Sequence, residues 1–556
     1  MDTVLRLARS YGQGFEGRGW AVVAMLLVVA IAVSATAGSA VATALMLALA
    51  AVVLVLSRRL SRRGDERFVL LIVALALAAR LLLVGVLDIA SRSNGGALFL
   101  DDASYLRLAS QVSEAWRSGV PASDIDPTQG GNYVKFAAGL FFLFGSDAVL
   151  LKYVNTAFGV MAALLVYRTM VNLRVPGPRV ALVLTLFFPS LVLWSALALK
   201  DAYVLFFTCA AVWTMSEYAR SRRFVPWYLL AVASMVAVEN VRAYMYVILV
   251  VAWPLAMPFV LRRQRWMGPS AIAAALAAIL LATSPALTYL NPNIVTISTF
   301  IRQAMAVGAR TSLVEPLPAV RGEPGDRFVV TAVDRSPVPA ELRRTLYVRP
   351  GDPLVLEGAI GGAPPNDGET VVRPGDTIVI AAPTGPSSNP GSTELPAGSP
   401  LPILLAATGH TVVGTPAPSP ADSADSLSLP RGASEAIRYL PVGITYVIGA
   451  PNPLTARTLS DIATIPEMLM WYGAEFFAAW GLILLMRARR YEIAYGLLIV
   501  AGVGLVLSLF EGNAGTLLRH RAMMIPWVAV LAAAGGSDFW SRVRARRAGV
   551  TLESLQ

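Results

Sequence analysis

Two neighbouring carboxylates, Asp101 and Asp102, stand just beyond an apolar run, Ala74 to Leu87, that carries a single guanidinium, Arg80. A charged group at the depth of a membrane helix costs about 2.5–3.5 kcal/mol even on a lenient scale, so a chain keeps one there for a partner or a ligand. Further charges sit at the margins of later apolar runs: Lys200-Asp201 after Trp194, Arg242 after Glu239, and Arg519-His520-Arg521 at the end of a loop that begins at Glu511. A carboxylate that accepts a proton, set beside cations that hold a phosphate or pyrophosphate, suits acid/base chemistry on an anionic, lipid-linked substrate. The groups expected to hold the phosphate are Lys200, Arg519, His520 and Arg521, with Arg80 and Arg242 as further candidates. Each feature also has a plain structural reading. Aspartates near a helix start cap it, a Lys-Asp pair at an interface caps the next span, and a cationic loop end is solvated. Glu475, inside the run Met468 to Met486, is expected to pair with Arg80 or Arg242.

The elements that must position these groups are membrane helices. Of 556 residues 56% are hydrophobic and 15% charged, and the mean hydropathy is +0.61. The apolar residues fall in runs of roughly fourteen to twenty-one, close to the length that crosses a bilayer. The net charge of +11 does not point to nucleic acid, because the basic residues cluster in short loops between apolar runs, as the positive-inside rule requires. The single cysteine, Cys209, excludes an intrachain disulfide. The basic N-terminal segment leads into an apolar stretch without a small-residue cleavage site, so no cleavable signal peptide is expected. No Walker loop, nucleotide fingerprint or Cys/His cluster is present, which disfavours an ATP-driven pump or a zinc enzyme, and no cofactor is expected. A divalent cation held by Asp101 and Asp102 is the one metal site the sequence offers.

Twelve apolar runs are expected to span: 20–36, 39–57, 68–88, 149–167, 179–195, 202–218, 226–239, 243–261, 269–285, 467–486, 491–510 and 522–537. The small residues Ser34 to Ser39 make a hairpin between the first two. With both termini cytoplasmic, every strongly basic short loop falls on the inner side, including Arg58-Arg59, Arg62-Arg63, Arg174, Arg179, Arg220 to Arg223, Arg262 to Arg265, Arg487 to Arg490 and Arg542 to Arg547. The segments 88–148, 194–201, 239–242, 283–466 and 511–521 then face outward. Tyr133 to Gly145 is apolar but too short to span and reads as an interfacial helix.

The chain therefore divides into a transmembrane part, 1–285 and 467–556, and an extracytoplasmic insertion, 286–466. Within the insertion, three Pro-Gly-Asp turns, at Pro324, Pro350 and Pro374, each precede a β-prone run. Proline presets the first turn dihedral and glycine accepts the next, which predicts a small all-β domain over about 320–383. A Pro/Ser/Gly-rich linker follows over 384–433. Asn293 to Val307 and Glu435 to Ile448 read as amphipathic helices that return the chain to the membrane.

Arg80-Leu81, then Asp101-Asp102 with Tyr105 and Ala109, resembles the start of the GT-C membrane glycosyltransferases of the protein O-mannosyltransferase and aminoarabinose transferase type. Phe188-Pro-Ser190 with Trp194 to Asp201, and the late Arg519-His-Arg521 before an apolar helix with Pro526 and Gly535-Gly536, extend the likeness over about Arg80 to Gly536 without the insertion. The resemblance implies an all-α GT-C-like fold in the plasma membrane. It implies transfer of a sugar from a polyprenyl-phosphate donor to a glycan or protein acceptor on the outer face, with Asp101 or Asp102 as general base and Asp201 as the second-loop acid. The chain has Asp-Asp where Asp-Glu is more usual, and it adds a helical hairpin and the β insertion. Two other classes compete: a polysaccharide polymerase or ligase using a polyprenyl-diphosphate donor, favoured by His520, and a lipid-linked-saccharide flippase or transporter, for which Arg80 and Glu475 would line the substrate path. The absence of an inverted repeat stands against the last.

The sidedness of the arginines predicts that a Ser387→Cys variant is labelled by an impermeant thiol reagent from outside intact cells. Labelling only after lysis would reverse the topology.

Overall fold

The computed structural model describes residues 24–33, 36, 38–92, 96–119, 131–221, 223–261, 267–284, 327–331, 345–348, 354–356, 370–372, 377–380, 413–416, 433–453, 459–510 and 514–547. They divide into two units, Met1–Ser312 with Gly432–Gln556, and Leu313–Arg431. The first is a helical membrane unit. Six of its helices are long and apolar enough to cross a membrane, or seven if one bent pair is a single span. The described parts of the twelve expected runs are largely helical, but the other runs do not reach the length and apolarity of a span among the described residues.

In chain order the first helices are α1 (Ala24–Val33), α2 (Ala40–Leu60), α3 (Glu66–Ser91), α4 (Leu100–Ser118), α5 (Gly131–Phe144) and α6 (Ala148–Leu173). Ser39 caps α2 by accepting from Ala42 N, and its own N–H donates to Asp147 Oδ2 at 2.9 Å. Asp147 in turn accepts from Val149 N to cap α6. One carboxylate thus fixes the start of two helices. The 14-residue α5 rises about 21 Å at 1.5 Å per residue, short of the roughly 30 Å hydrocarbon core, and it packs on α4.

Helix α6 is apolar on every side and buried along nearly its whole length, as a helix must be when neighbours surround it. It is the post of the unit, in contact with α2, α3, α7 (Pro178–Phe187) and α9 (Asp201–Ser221). Between those last two lies α8 (Pro189–Ser195), bent 56° from α7. The break has a local cause: Pro189 pushes the preceding Phe188 into extended backbone, with ψ 124°, and itself occupies the first turn of α8.

The remaining helices of this unit are α10 (Phe224–Glu239), α11 (Ala243–Val260), α12 (Met267–Thr283), α13 (Ala433–Gly449), α14 (Leu459–Arg487), α15 (Ala494–Phe510), α16 (Ala514–Arg521) and α17 (Ile525–Arg547). α13 covers the expected amphipathic helix at Glu435 to Ile448, whereas Asn293 to Val307 and Glu511 to Asn513 lie outside the described residues.

Many of the side-chain ion pairs lie near one end or the other of the helices. At the basic end, Asp65 accepts from Tyr167 Oη at 2.7 Å and from Arg179 Nε at 2.9 Å. Glu217 there accepts from Arg168, Asn172 and Arg220, and Arg490 reaches the Arg174 carbonyl. The opposite end holds the carboxylates and cations singled out in the sequence.

The second unit, taken by itself, contains a four-stranded sheet in the order β2-β5-β1-β6, formed by β1 (Arg327–Thr331), β2 (Thr345–Val348), β5 (Thr377–Ile380) and β6 (Val413–Pro416). A parallel pair is formed by β3 (Leu354–Leu356) and β4 (Thr370–Val372). In the sequence each Pro-Gly-Asp triplet stands just before one of the strands β1, β3 and β5. β6 pairs with β1 from within the stretch read as linker, with Phe328 opposite Pro416 and Thr331 opposite Val413.

Candidate active site

The site is built outward from α6. Lys152 and Asn155 lie one turn apart near the start of this post, and both are fully buried. Lys152 Nζ donates to Asp88 Oδ1 at 2.7 Å and to the Gly96 carbonyl at 2.6 Å. A buried ammonium is tolerable only when it is paired and hydrogen-bonded in this way. The pair ties the end of α3 to the chain that enters α4. Gly96 has φ +81°, and a Cβ there would lie 3.3 Å from Asp88 Oδ1, so the close approach needs glycine.

That tether places the two aspartates, and the helix start separates their roles. Asp102 is fully buried. Its Oδ1 accepts from Phe99 N at 2.8 Å and its Oδ2 from Leu98 N at 3.0 Å, amides that the start of α4 would leave unpaired. Burial pushes its carboxyl above the ordinary range, against the pull of those two amides. Asp102 is therefore the cap of α4. Asp101 points outward, its side chain 54% exposed, and accepts from Arg519 Nη1.

Arg519 joins the first loop to the second. Its Nε donates to Asp201 Oδ2 at 2.7 Å, and the other oxygen of Asp201 accepts from Arg242 Nη2. Asp201 is 2% exposed, so one buried carboxylate holds two guanidinium groups from α16 and from the start of α11. Arg242 Nη1 also donates to Tyr244 Oη at 2.7 Å. The Tyr244 ring lies 6.2 Å from that of His520, and His520 is close enough to act electrostatically on Asp201.

Lys200 completes the cluster. Its Nζ lies 5.6 Å over the Tyr105 ring, a cation–π contact. Burial, then the nearby Arg242, pulls the ammonium down to about 8. The loop that carries it hangs from Asn155, whose Nδ2 reaches the carbonyls of Leu197 at 2.7 Å and Leu199 at 2.9 Å, and Tyr133 Oη at 3.0 Å. Tyr133 packs edge-on against Tyr105. The assembled cluster sets Lys200, Arg242 and Arg519 against Asp101 and Asp201, an excess of one positive charge before His520 is counted. Asp101 is the exposed carboxylate at the edge of this set.

Three expected members stand elsewhere. Arg521 follows Arg519 by two residues and so points to another side of the helix. It is buried, donates from Nη2 to the carbonyls of Val447 and Ala450, and lies 4.7 Å over the Trp471 ring. It clamps the end of α13 to α14 and does not join the cations around Asp201. The cation acting on Glu475 is Arg521, in place of the expected Arg80 or Arg242, since Arg242 is already taken by Asp201. Arg80 is fully buried in α3, donating from Nε to Ser195 Oγ at 2.9 Å and from Nη1 to the Ala76 carbonyl at 3.4 Å. Gly159 permits this approach, because a Cβ there would meet Ser195 Cβ at 2.6 Å. Arg80 thus holds the chain that leads to Lys200 without joining the cations around Asp201.

The Asp101-Asp102 pair does not offer a divalent cation two free carboxylates, since Asp102 is spent on amides and Asp101 on Arg519. Among the described residues no group of three or more His, Cys, Asp and Glu could hold a metal. Sequence reasoning passed over Lys152, Asn155 and Tyr244. Lys152 had a signal, as a lone ammonium inside an apolar run; a neutral Asn155 or Tyr244 has none. Compared with known protein families, curated proteins and solved structures, the chain matches none of them.

Because Asp201 is the shared counter-ion of two largely buried guanidinium groups, Asp201→Ala is expected to destabilise the protein by about 3–5 kcal/mol. Thermal unfolding in detergent checks this, and Asp201→Ala/Arg242→Met should recover part of the loss. An unchanged midpoint in the single variant would mean that the ion pairs contribute nothing to the fold.

Proposed function

We propose that the protein transfers a sugar from a polyprenyl-phosphate donor to an acceptor hydroxyl at the carboxylate-rich end of its helices. The observation that carries this reading is the chain of contacts from Asp101 through Arg519 and Asp201 to Arg242. It brings an exposed carboxylate and several cations from three separate loops into one place. In the proposed reaction the donor phosphate lies on Arg519, Lys200 and Arg242, with His520 beside it. The phosphate takes over the Arg519 contact that Asp101 makes in its absence, which frees Asp101 to act as general base. Asp101 removes the acceptor's hydroxyl proton, the oxygen attacks the anomeric carbon, and the bond to the phosphate oxygen breaks with its electron pair left on the phosphate. The cations stabilise that developing charge. Asp201 holds Arg242 and Arg519 in place, and Tyr105 supports Lys200.

The same proposal includes the GT-C-like arrangement of twelve spans in the plasma membrane, with both termini cytoplasmic and this end of the helices outside. The strands of the insertion belong to a small β module that presents or shields the acceptor, while the bilayer supplies the polyprenyl chain. A second reading, a polymerase or ligase acting on a polyprenyl-diphosphate donor, is favoured by His520, whose ring contact with Tyr244 sets it beside Arg242.

The test is turnover of the purified protein in lipid with a polyprenyl-phosphate sugar, read as release of free polyprenyl phosphate. Asp101→Asn is expected to lower kcat by about 10²–10⁴-fold with donor binding nearly unchanged, the range of a lost general base. Asp102→Asn is expected to act through stability. Retained turnover in Asp101→Asn would remove the base. Release from diphosphate donors only, with dependence on His520, would favour the second reading.

A further inference from the structure

A cavity of about 570 Å³ opens between α7, α14 and α17. Leu184, Met470 and Phe477 are among its apolar walls, and Arg544 stands at its rim. Two pairs of glycines on the same helices behave in opposite ways. At Gly481 a Cβ would sit 2.0 Å from the Leu531 carbonyl oxygen, and at Gly535 2.1 Å from that of Phe477, so these two glycines allow α14 and α17 to cross in backbone contact. At Gly473 and Gly536, both in the cavity wall, a Cβ would meet nothing within 4 Å. The close crossing therefore does not require them. Their missing side chains leave the groove open.

The charge at the rim says what fills it. Along the last turns of α17, Arg542 pairs with Asp538 at 2.7 Å and stacks on Trp480. Arg544 has no carboxylate partner among the described residues; its Nε reaches only the Trp540 carbonyl, at 3.4 Å. Arg544 lies at the basic end of the bundle, where the arginine-rich loops gather, and opposite the Asp201 cluster. From Ala532 to Arg544 the groove runs along one helix for about 18 Å at the rise of an α-helix, close to the length of one extended acyl chain. An apolar slot of that length, ending at a guanidinium without a carboxylate partner on the basic side, matches one chain and the headgroup of an anionic glycerophospholipid.

We infer that the groove between α7, α14 and α17 is a binding site for an anionic glycerophospholipid, with an acyl chain lying over Gly473 and Gly536 and the headgroup phosphate on Arg544. This site is separate from the proposed active site and does not depend on its chemistry.

The test uses the full chain in nanodiscs of mixed phosphatidylglycerol and phosphatidylcholine, followed by transfer to detergent and native mass spectrometry of retained lipid. The wild type is expected to retain phosphatidylglycerol over phosphatidylcholine by about fivefold, the effect of one basic group at the membrane surface. Arg544→Gln, an exposed change that leaves the helix crossing intact, should remove that preference while a chain is still retained. Gly473→Leu/Gly536→Leu should lower retention of both lipids, with folding checked by an unchanged unfolding midpoint. Equal retention of the two lipids by the wild type, or full retention in a folded glycine double variant, would overturn the assignment. Polyprenyl phosphate, added to the same nanodiscs and retained in place of phosphatidylglycerol, would overturn it too by assigning the groove to the carrier lipid.

Discussion

One carboxylate shared between two arginines governs how the membrane-proximal end of this protein is organised. Removing a carboxylate from water costs several kcal/mol, and that cost is met only by close cations and hydrogen bonds. Asp201 is 2% exposed and is met on both oxygens. Its partners come from residues 242 and 519, far apart in sequence, so α11 and α16 are drawn to the start of α9. Arg519 then carries the connection to Asp101 on α4. Each pair would be weak at a solvated surface. Linked through one buried acid, they fix the relative placement of four loops.

The same logic runs down the central post. α6 is apolar all round, yet its polar groups sit near the ends, Lys152 and Asn155 at one and Tyr167 and Arg168 at the other. At each end they hold the neighbouring chain: Lys152 the entry to α4, Asn155 the loop to Lys200, Tyr167 the turn before α3. Where buried ions are paired, as Lys152 with Asp88 and Arg242 with Asp201, loss of one partner leaves the other uncompensated in a low dielectric. Loss of both together is far milder. The proposed phosphate site would need cations that are already in place when charge develops.

Much of this was legible in the sequence because bilayers impose lengths. Runs such as 149–167 and 491–510 are apolar over the thickness of a membrane, and helices fill both. Charges at the edges of those runs marked Asp101, Lys200, Asp201, Arg242 and Arg519, and the structure brings these together. What could not be read was direction. Asp101 and Asp102 are adjacent, and only the helix start shows that one caps and the other faces out. Arg519 and Arg521 differ by two residues, which on a helix is a change of side. Arg80 and Glu475 were rightly read as intramembrane charges needing partners, but Ser195 and Arg521 became those partners because tertiary packing chose among neighbours that sequence cannot rank. Asn155 left no trace, since a neutral amide in an apolar run resembles any tolerated polar residue.

The proposed role of the cluster around Asp201 is to bind a lipid-linked phosphate. A cryo-EM structure of the protein in nanodiscs loaded with polyprenyl phosphate tests it most directly. Phosphate density is expected within hydrogen-bond distance of Arg519 and Lys200, with Asp101 released from Arg519 and Asp201 still bound to Arg242. Phosphate density away from this cluster, with the Asp101–Arg519 pair intact, would contradict it.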